Sequence, residues 1–325
     1  MNKDNENYYL DILKQNKGFS IPGKWVIYAR DHKFQKVDSN KLNECPNCGS
    51  KKISYLNQYV YYSTLICLDR CQNCDLIFSD THLSSVIIKN HFENAYKNDE
   101  YFLKSRRKIF SQVVNLVVKY APLSGKIIDI GGAKGHLICL IEKSRPDLSC
   151  VVNDLSQIAC DFAESEFKIR TIRGSLTDLV NVQEKFDVIL LIDVIYYEPN
   201  IVKLWHVLQS LTKDRGTIIM RVPNTYLFMK YYRLIKILFQ SKEKREMTTQ
   251  IPFFNPEHLY VFSKKYLIKQ FSGIGFNDIQ FLPSELLEKN IISSLFFWFA
   301  IAVHYISLGK IVITPSQFIV ANKVK

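Results

Sequence analysis

From residue 126 onward, short apolar runs alternate with segments whose apolar side chains recur every three to four positions. The runs predict strands at 126–130, 150–153, 168–172, 186–192, 217–222, 277–281 and 317–321. Between them, Ile201, Leu204, Trp205, Leu208 and Leu211 fall on one face of a helix over 201–211. Strands alternating with amphipathic helices specify a parallel sheet covered on both faces, so the expected fold is α/β, a doubly wound sheet of seven strands.

Upstream the pattern changes. Residues 1–44 are polar with scattered aromatics and form an N-terminal extension without periodicity. Residues 45–80 hold two cysteine pairs around 53–68, a stretch rich in Tyr, Val, Thr and Ile that reads as a strand hairpin. Residues 81–120 form a connector whose second half, with Phe102, Ile109, Val113, Leu116 and Tyr120, has helical spacing. The main domain is then 121–325, with apolar and basic insertions at 226–250 and 285–313; no fixed-period repeat is present.

With 47% hydrophobic and 23% charged residues, the 325-residue chain has a globular composition, which excludes a disordered, collagenous or multi-span membrane protein. Its formal net charge of +12 favours phosphates, acidic substrates or anionic membrane surfaces. The N-terminal residues lack the apolar run of a secretory signal, so a cytoplasmic protein is expected, with the inner face of the membrane as a site of peripheral contact. In that compartment five cysteines between Cys45 and Cys74 read as metal ligands and not as disulfides.

Asp129-Ile130-Gly131-Gly132-Ala133-Lys134-Gly135-His136 runs from a buried strand through a glycine turn into a helix. Such a turn brings backbone close to a ligand, and the helix N-terminus offers free N–H groups to the same crevice. A tight turn without a ligand is the plainer reading. The three glycines of the dinucleotide fingerprint are not met at their spacing.

This segment resembles the first motif of the class I S-adenosylmethionine-dependent methyltransferases, in which an acid is followed by a spacer and alternating glycines. Asp129, Gly131 and Gly135 fit, while Ala133 stands at the middle glycine with Gly132 beside it. The resemblance extends over roughly residues 96–321. It implies S-adenosylmethionine as cofactor, with Asp154 at the end of the second strand on the ribose, although Asp154 also suits a helix cap. It places Ser175 and Leu176 on the adenine side and Asp193 beyond the fourth strand, where Tyr196 and Tyr197 replace a common Glu-His pair.

Cys45-Pro46-Asn47-Cys48 and Cys71-Gln72-Asn73-Cys74 can each wrap a turn about one ion, and four thiolates form the closed tetrahedral shell of a structural Zn2+. Cys67 is a weaker competitor for Cys71 because it breaks the paired spacing. The ribbon ahead of the methyltransferase pattern resembles a bacterial group associated with sugar, polysaccharide or natural-product methylation. Related enzymes carry a His-x3-Phe-Ser segment, matched here by His258, Phe262 and Ser263. His258 is therefore the first candidate base, followed by Tyr197 and Asp193, with local packing as the alternative.

The expected acceptor is a sugar, glycan intermediate or related small molecule, and positive charge suits one bearing phosphate. A lipid-linked acceptor is second, motivated by the aromatic, basic stretch 226–239 and the uncharged stretch 290–309. RNA is third, since the Asn/Asp-Pro-Pro-aromatic segment of many base-methylating relatives is missing. A non-catalytic, zinc-bearing interaction protein on the same scaffold is the alternative from another class.

Overall fold

The computed structural model describes residues 39–61, 64–83, 96, 100–231, 254–255, 257–285 and 291–323. The expectations for residues 1–38 and for residues 232–250 of the first insertion lie outside these residues.

The main domain begins with helix α1 (Glu100–Tyr120), followed by β6 (Lys126–Ile130), α2 (His136–Ser144), β7 (Ser149–Asp154), α3 (Gln157–Phe167), β8 (Arg170–Arg173) and β9 (Phe186–Ile192). Helix α4 (Ile201–Leu211) leads into β10 (Thr212–Pro223); α5 (Lys264–Gly273), β12 (Phe276–Pro283), α6 (Ile291–Ile306) and β13 (Ser316–Lys323) complete it. The seven strands lie in the order β12-β13-β10-β9-β6-β7-β8. The pairings from β10 through β8 are parallel, and β13 runs antiparallel to both its neighbours.

Side-chain alternation along the strands builds two cores. Val188 and Leu190 of β9 and Ile127 of β6 face Ile109, Val113 and Val117 of α1 and Leu137 of α2. Ile189, Leu191 and Ile128 face the opposite way, toward Leu204, Trp205 and Leu208 of α4 and Phe271 of α5. The apolar stripe read along 201–211 is buried as expected.

The cysteine ribbon comprises β2 (Ile53–Tyr61), β3 (Thr64–Cys71) and β4 (Ile77–Ser79), while β1 (Ser39–Lys41) pairs with β5 (Thr81–Leu83) apart from it. The hairpin read at 53–68 is thus present, one strand longer in reach than the sequence pattern indicated. A fourth strand closes the ribbon's sheet, and it comes from far down the chain: β11 (Tyr260–Val261) pairs antiparallel with β4. Cys45, Cys71, Cys74, Leu76 and Phe78 join the same core as Trp205 and Phe271. Ile66, Leu68 and Ile77 on the other face pack with Tyr226 and Met229. The ribbon is therefore seated in the main domain's core.

Candidate active site and metal site

The glycine turn leaves the carboxyl end of β6, in the middle of the sheet. Gly131 and Gly135 take φ of 69° and 76°, and a Cβ on Gly131 would stand 2.5 Å from a Val194 methyl. Ala133 adopts φ 50°, the left-handed backbone that its motif position gives to glycine. Its strain is offset by its N–H, which donates to Asp154 Oδ2 at 2.9 Å. The carbonyl of Asn153 accepts from Gly131 and Gly132 at 2.8 and 3.1 Å, fixing the turn to the end of β7.

Asp154 is buried; its Oδ1 also accepts from Ser156 N–H at 2.9 Å, and Tyr96 donates to Oδ2 at 3.4 Å. The cap of α3 is Ser156, whose hydroxyl accepts from Ala159 N–H at 3.3 Å, and not Asp154, which instead holds the Ser156 N–H two residues on. Burial outweighs the hydrogen bonds to Asp154 and pushes its pKa up. Asp129 lies beneath the turn, close enough that a Cβ on Gly132 would meet its Oδ2 at 2.7 Å. Burial first, and the charge of Asp154 second, push the Asp129 carboxyl up to about 8.

Ser175 and Leu176 sit at the carboxyl end of β8. The Ser175 hydroxyl donates to Asp178 at 2.7 Å within a capping box, and the Leu176 side chain enters the core. What they leave toward the crevice is backbone.

Asp193 follows β9 with φ 60° and is clamped between two guanidinium groups, Arg221 of β10 at 2.6 Å and Arg106 of α1 at 3.0 Å. Burial alone would raise its pKa, but the arginines outweigh it and hold the carboxyl below its usual value. A carboxylate so held is a poor proton acceptor and a good anchor. Arg221 was legible as a charge inside the apolar run Ile218-Ile219-Met220; Arg106 and Tyr96, in charged or polar surroundings, gave no such signal.

His258 lies half-buried beside Tyr196 and Tyr197, with ring centroids 3.8 and 5.5 Å away, and Phe254 stands at 6.3 Å. Burial pushes the imidazole down to about 3 against the opposing charge of Asp193, so it is neutral at physiological pH. Tyr197 is shifted upward, by burial and then by the charges of Glu257 and Asp193, and keeps its phenolic proton. The structure thus brings His258, Tyr197 and Asp193 to one end of the sheet, the imidazole neutral, the phenol protonated and the carboxylate held by its two arginines.

Its backbone is held from two sides. Leu259 N–H donates to Tyr196 O at 2.9 Å, while Ser79 of the ribbon donates its N–H to Leu259 O at 2.8 Å and its hydroxyl to His258 O at 3.3 Å. Farther along, Tyr266 donates to Asn47 Oδ1 at 2.9 Å and Tyr226 donates to Asp75, which also pairs with Arg70.

The sulfurs of Cys45, Cys48, Cys71 and Cys74 lie within 4.8 Å of one another, with Cys45–Cys74 at 3.5 Å and Cys48–Cys71 at 3.6 Å. Four sulfurs at ~2.3 Å from one ion have this spread, so the set fits a tetrahedral metal. Backbone N–H of Cys74 points at Cys71 Sγ at 3.4 Å and Asn73 Nδ2 at Cys48 Sγ at 3.6 Å, the hydrogen bonds that stabilise thiolate ligands. Cys67 is outside the cluster.

A glycine turn after the central strand, an acid ending the next strand and a strand order that reverses between β6 and β9 define a cofactor crevice at the carboxyl edge of a doubly wound sheet. A family model described as a methyltransferase domain matches residues 102–280, and the chain belongs to that family. Residues 102–280 thus form a class I S-adenosylmethionine-dependent methyltransferase domain, with a four-cysteine module on its N-terminal side. The ribosomal RNA small subunit methyltransferase C of Photorhabdus laumondii subsp. laumondii is similar at 20% identity over 193 residues, 56% of this chain and 55% of that protein. The chain thus spans about half the length of that curated relative. Solved structures with similarity include an S-adenosylmethionine-dependent methyltransferase from Thermotoga maritima, at 15% identity and TM-score 0.47, covering 73% of this chain and 99% of that one. The plantazolicin methyltransferase in complex with SAH is similar at 18% identity and TM-score 0.44, covering 74% and 92%.

Proposed function

We propose that this methyltransferase transfers the methyl group of S-adenosylmethionine to a sugar, glycan intermediate or related small molecule. The observation that carries the reading is the placement of the His258 ring among Tyr196, Tyr197 and Phe254, with centroids 3.8, 5.5 and 6.3 Å away, beside the end of β9. Methyl transfer from a sulfonium is an in-line displacement, and a hydroxyl acceptor must also lose its proton. A neutral imidazole takes that proton, and an aromatic wall packs against the apolar face of a sugar or a flat ring. In this reading the cofactor lies across Gly131, Gly132 and Gly135, with its ribose on Asp154 in place of the Tyr96 phenol and its adenine beside the 175–176 backbone. Asp193 is then a positioning residue that ties α1 to β10 through Arg106 and Arg221. The four cysteines hold Zn2+ as a structural ion, since a closed shell leaves no position for a substrate.

RNA is the second reading, supported by the net charge of +12 and by the similarity to a ribosomal RNA methyltransferase. Mass-shift screening of glycan, nucleoside-sugar, small-molecule and RNA acceptors with the purified protein separates the two. His258→Ala is expected to abolish turnover of the acceptor found while leaving the cofactor's calorimetric affinity in place. Retention of turnover in that variant removes His258 as the base.

A further inference from the structure

Helix α6 joins β12 to β13, antiparallel neighbours, so it leaves and re-enters the sheet at one end. Because β12 is parallel to β10 and β9 through the β13 pairing, that end is the carboxyl edge where the glycine turn opens. The inner face of α6 buries Phe297, Ala300 and His304. The outer face is just as apolar: Trp298 is 68% exposed, Tyr305 74% and Ile306 83%, with Leu295 a turn before them, Phe299 beside Trp298, and Leu308 and Ile311 beyond. No charged residue occurs between Lys289 and Lys310. A surface helix of a free-standing protein carries polar side chains on the face that α6 gives to Trp, Phe, Tyr and Ile. Leu227 and Tyr231 on the helical residues 226–231 are exposed as well. The two stretches are tied at their roots, where Asn224 donates to the carbonyls of Val312 at 2.9 Å and Thr314 at 3.1 Å.

We infer that this surface seats the enzyme on an anionic lipid bilayer, with α6 lying in the plane of the interface. Three observations select this occupant. The 16 residues of α6 extend about 24 Å, short of the ~30 Å hydrocarbon layer, and both its ends return to one sheet, so the helix rests on a bilayer and does not cross it. Its exposed side chains include Trp298 and Tyr305, whose rings carry one polar end and settle at the headgroup boundary. Its local charge is sparse and turns basic at the C-terminal end: 290–309 holds no acid, Glu288 and Lys289 offset each other before it, Lys310 follows, and Lys264 bonds the Lys310 carbonyl at 3.1 Å. A second copy of the chain would bring another +12 against this face, whereas an anionic surface neutralises it. The inference rests on this surface alone and holds for any acceptor. It does set the crevice mouth next to the headgroups, which favours an acceptor carried on a lipid.

The test is flotation of the full chain with vesicles of phosphatidylcholine alone and of phosphatidylcholine with phosphatidylglycerol, at low and high salt. Wild type is expected to float with the anionic vesicles, less so as salt rises. Trp298→Ser with Phe299→Ser removes two exposed rings, and the partition coefficient is expected to fall at least roughly tenfold. Leu295→Ser with Ile306→Ser forms an independent pair with the same expected loss. Circular dichroism and cofactor affinity should be unchanged in both, because none of the four side chains is buried. Three outcomes overturn the inference: wild type remaining in the soluble fraction, equal flotation on the two vesicle types, or variants that float like wild type. Light scattering adds a fourth, a wild-type dimer that the substitutions split while no vesicle binding is seen.

Discussion

Stripping an ion from the four cysteines is expected to loosen the His258 segment while sparing the glycine turn. The link runs through β11, whose Tyr260 and Val261 pair with Phe78 and Ile77 of β4. Around that pairing, Ser79 gives two hydrogen bonds to the 258–259 backbone, Asn47 accepts from Tyr266, and Asp75 accepts from Tyr226. The two bonds from Ser79 contribute about 1 kcal/mol net each, so uncoupling the ribbon removes about 2 kcal/mol or more from the 258–262 segment even if its own side chains stay buried. Opening free energies translate to exchange rates tenfold per ~1.4 kcal/mol, so the amides of residues 259–261 should exchange at least about tenfold faster. The assay is hydrogen exchange of the full chain before and after chelation, with metal content checked by elemental analysis, and with Cys71→Ser as a second route. Amides of residues 131–137, on the far side of β6 from the ribbon, should keep their protection, and the cofactor should bind within a few-fold of its original affinity. Unchanged exchange at 259–261 in verified metal-free protein refutes the coupling, and equal loss of protection in both segments shows global unfolding instead.

Replacing Asp154 with Ala removes a two-oxygen acceptor and should weaken S-adenosylmethionine binding by about 1.5–3 kcal/mol by calorimetry; unchanged affinity removes the ribose assignment. Arg221→Met leaves Asp193 buried with only Arg106, and denaturant unfolding should show a loss of about 3 kcal/mol or more. Asp129 has a folded pKa raised from its ordinary value to about 8, so the folded state holds its proton more tightly than the unfolded chain. Its contribution is full below pH 4 and falls as pH rises through 8. Asp129→Asn should therefore flatten the decline in melting temperature between pH 6 and 9, and a variant as alkali-sensitive as wild type counts against it. His258, pushed down to about 3, should leave the pH–rate profile without an imidazole limb between pH 5 and 8; a limb near 6.5 would place the ring in water.

The central sheet was legible in the sequence because β6, β7, β9, β10 and β13 carry apolar runs flanked by helical spacing, whereas β8 and β12 mix polar residues among the apolar ones. Ends moved, as in β10, which begins at Thr212 where the pattern had placed 217, and β13 is antiparallel where the pattern specified a parallel sheet, because strand direction is set by a connection that periodicity does not report. The cysteine set was equally plain, since its spacing is local to each pair. The two-residue β11 was not, because two residues carry no period and their partner lies on the other side of the whole main domain. The turn's Ala133 looked like a departure from the motif, yet the structure shows it in the glycine conformation with Asp154 holding its N–H. Aligning letters could not reveal that compensation, because it depends on a bond between two loops. The arginine clamp on Asp193 was half visible: a charge within a buried strand draws attention, while Arg106 reads as one more cation in a basic run.

The pairing of β4 with β11 also imposes an order on synthesis. Ser79 and His258, which it brings into contact, are 179 positions apart in the chain. At ~5–20 residues per second, a ribosome takes on the order of 10–40 s to travel between them. During that interval the cysteines are already outside and able to take up their ion, while β4 presents an open edge that nascent neighbours could pair with. A metal-loaded hairpin waiting for its last strand would make early metal supply a determinant of yield. Expression in metal-depleted medium should then raise the insoluble fraction far more than chelating the finished protein does.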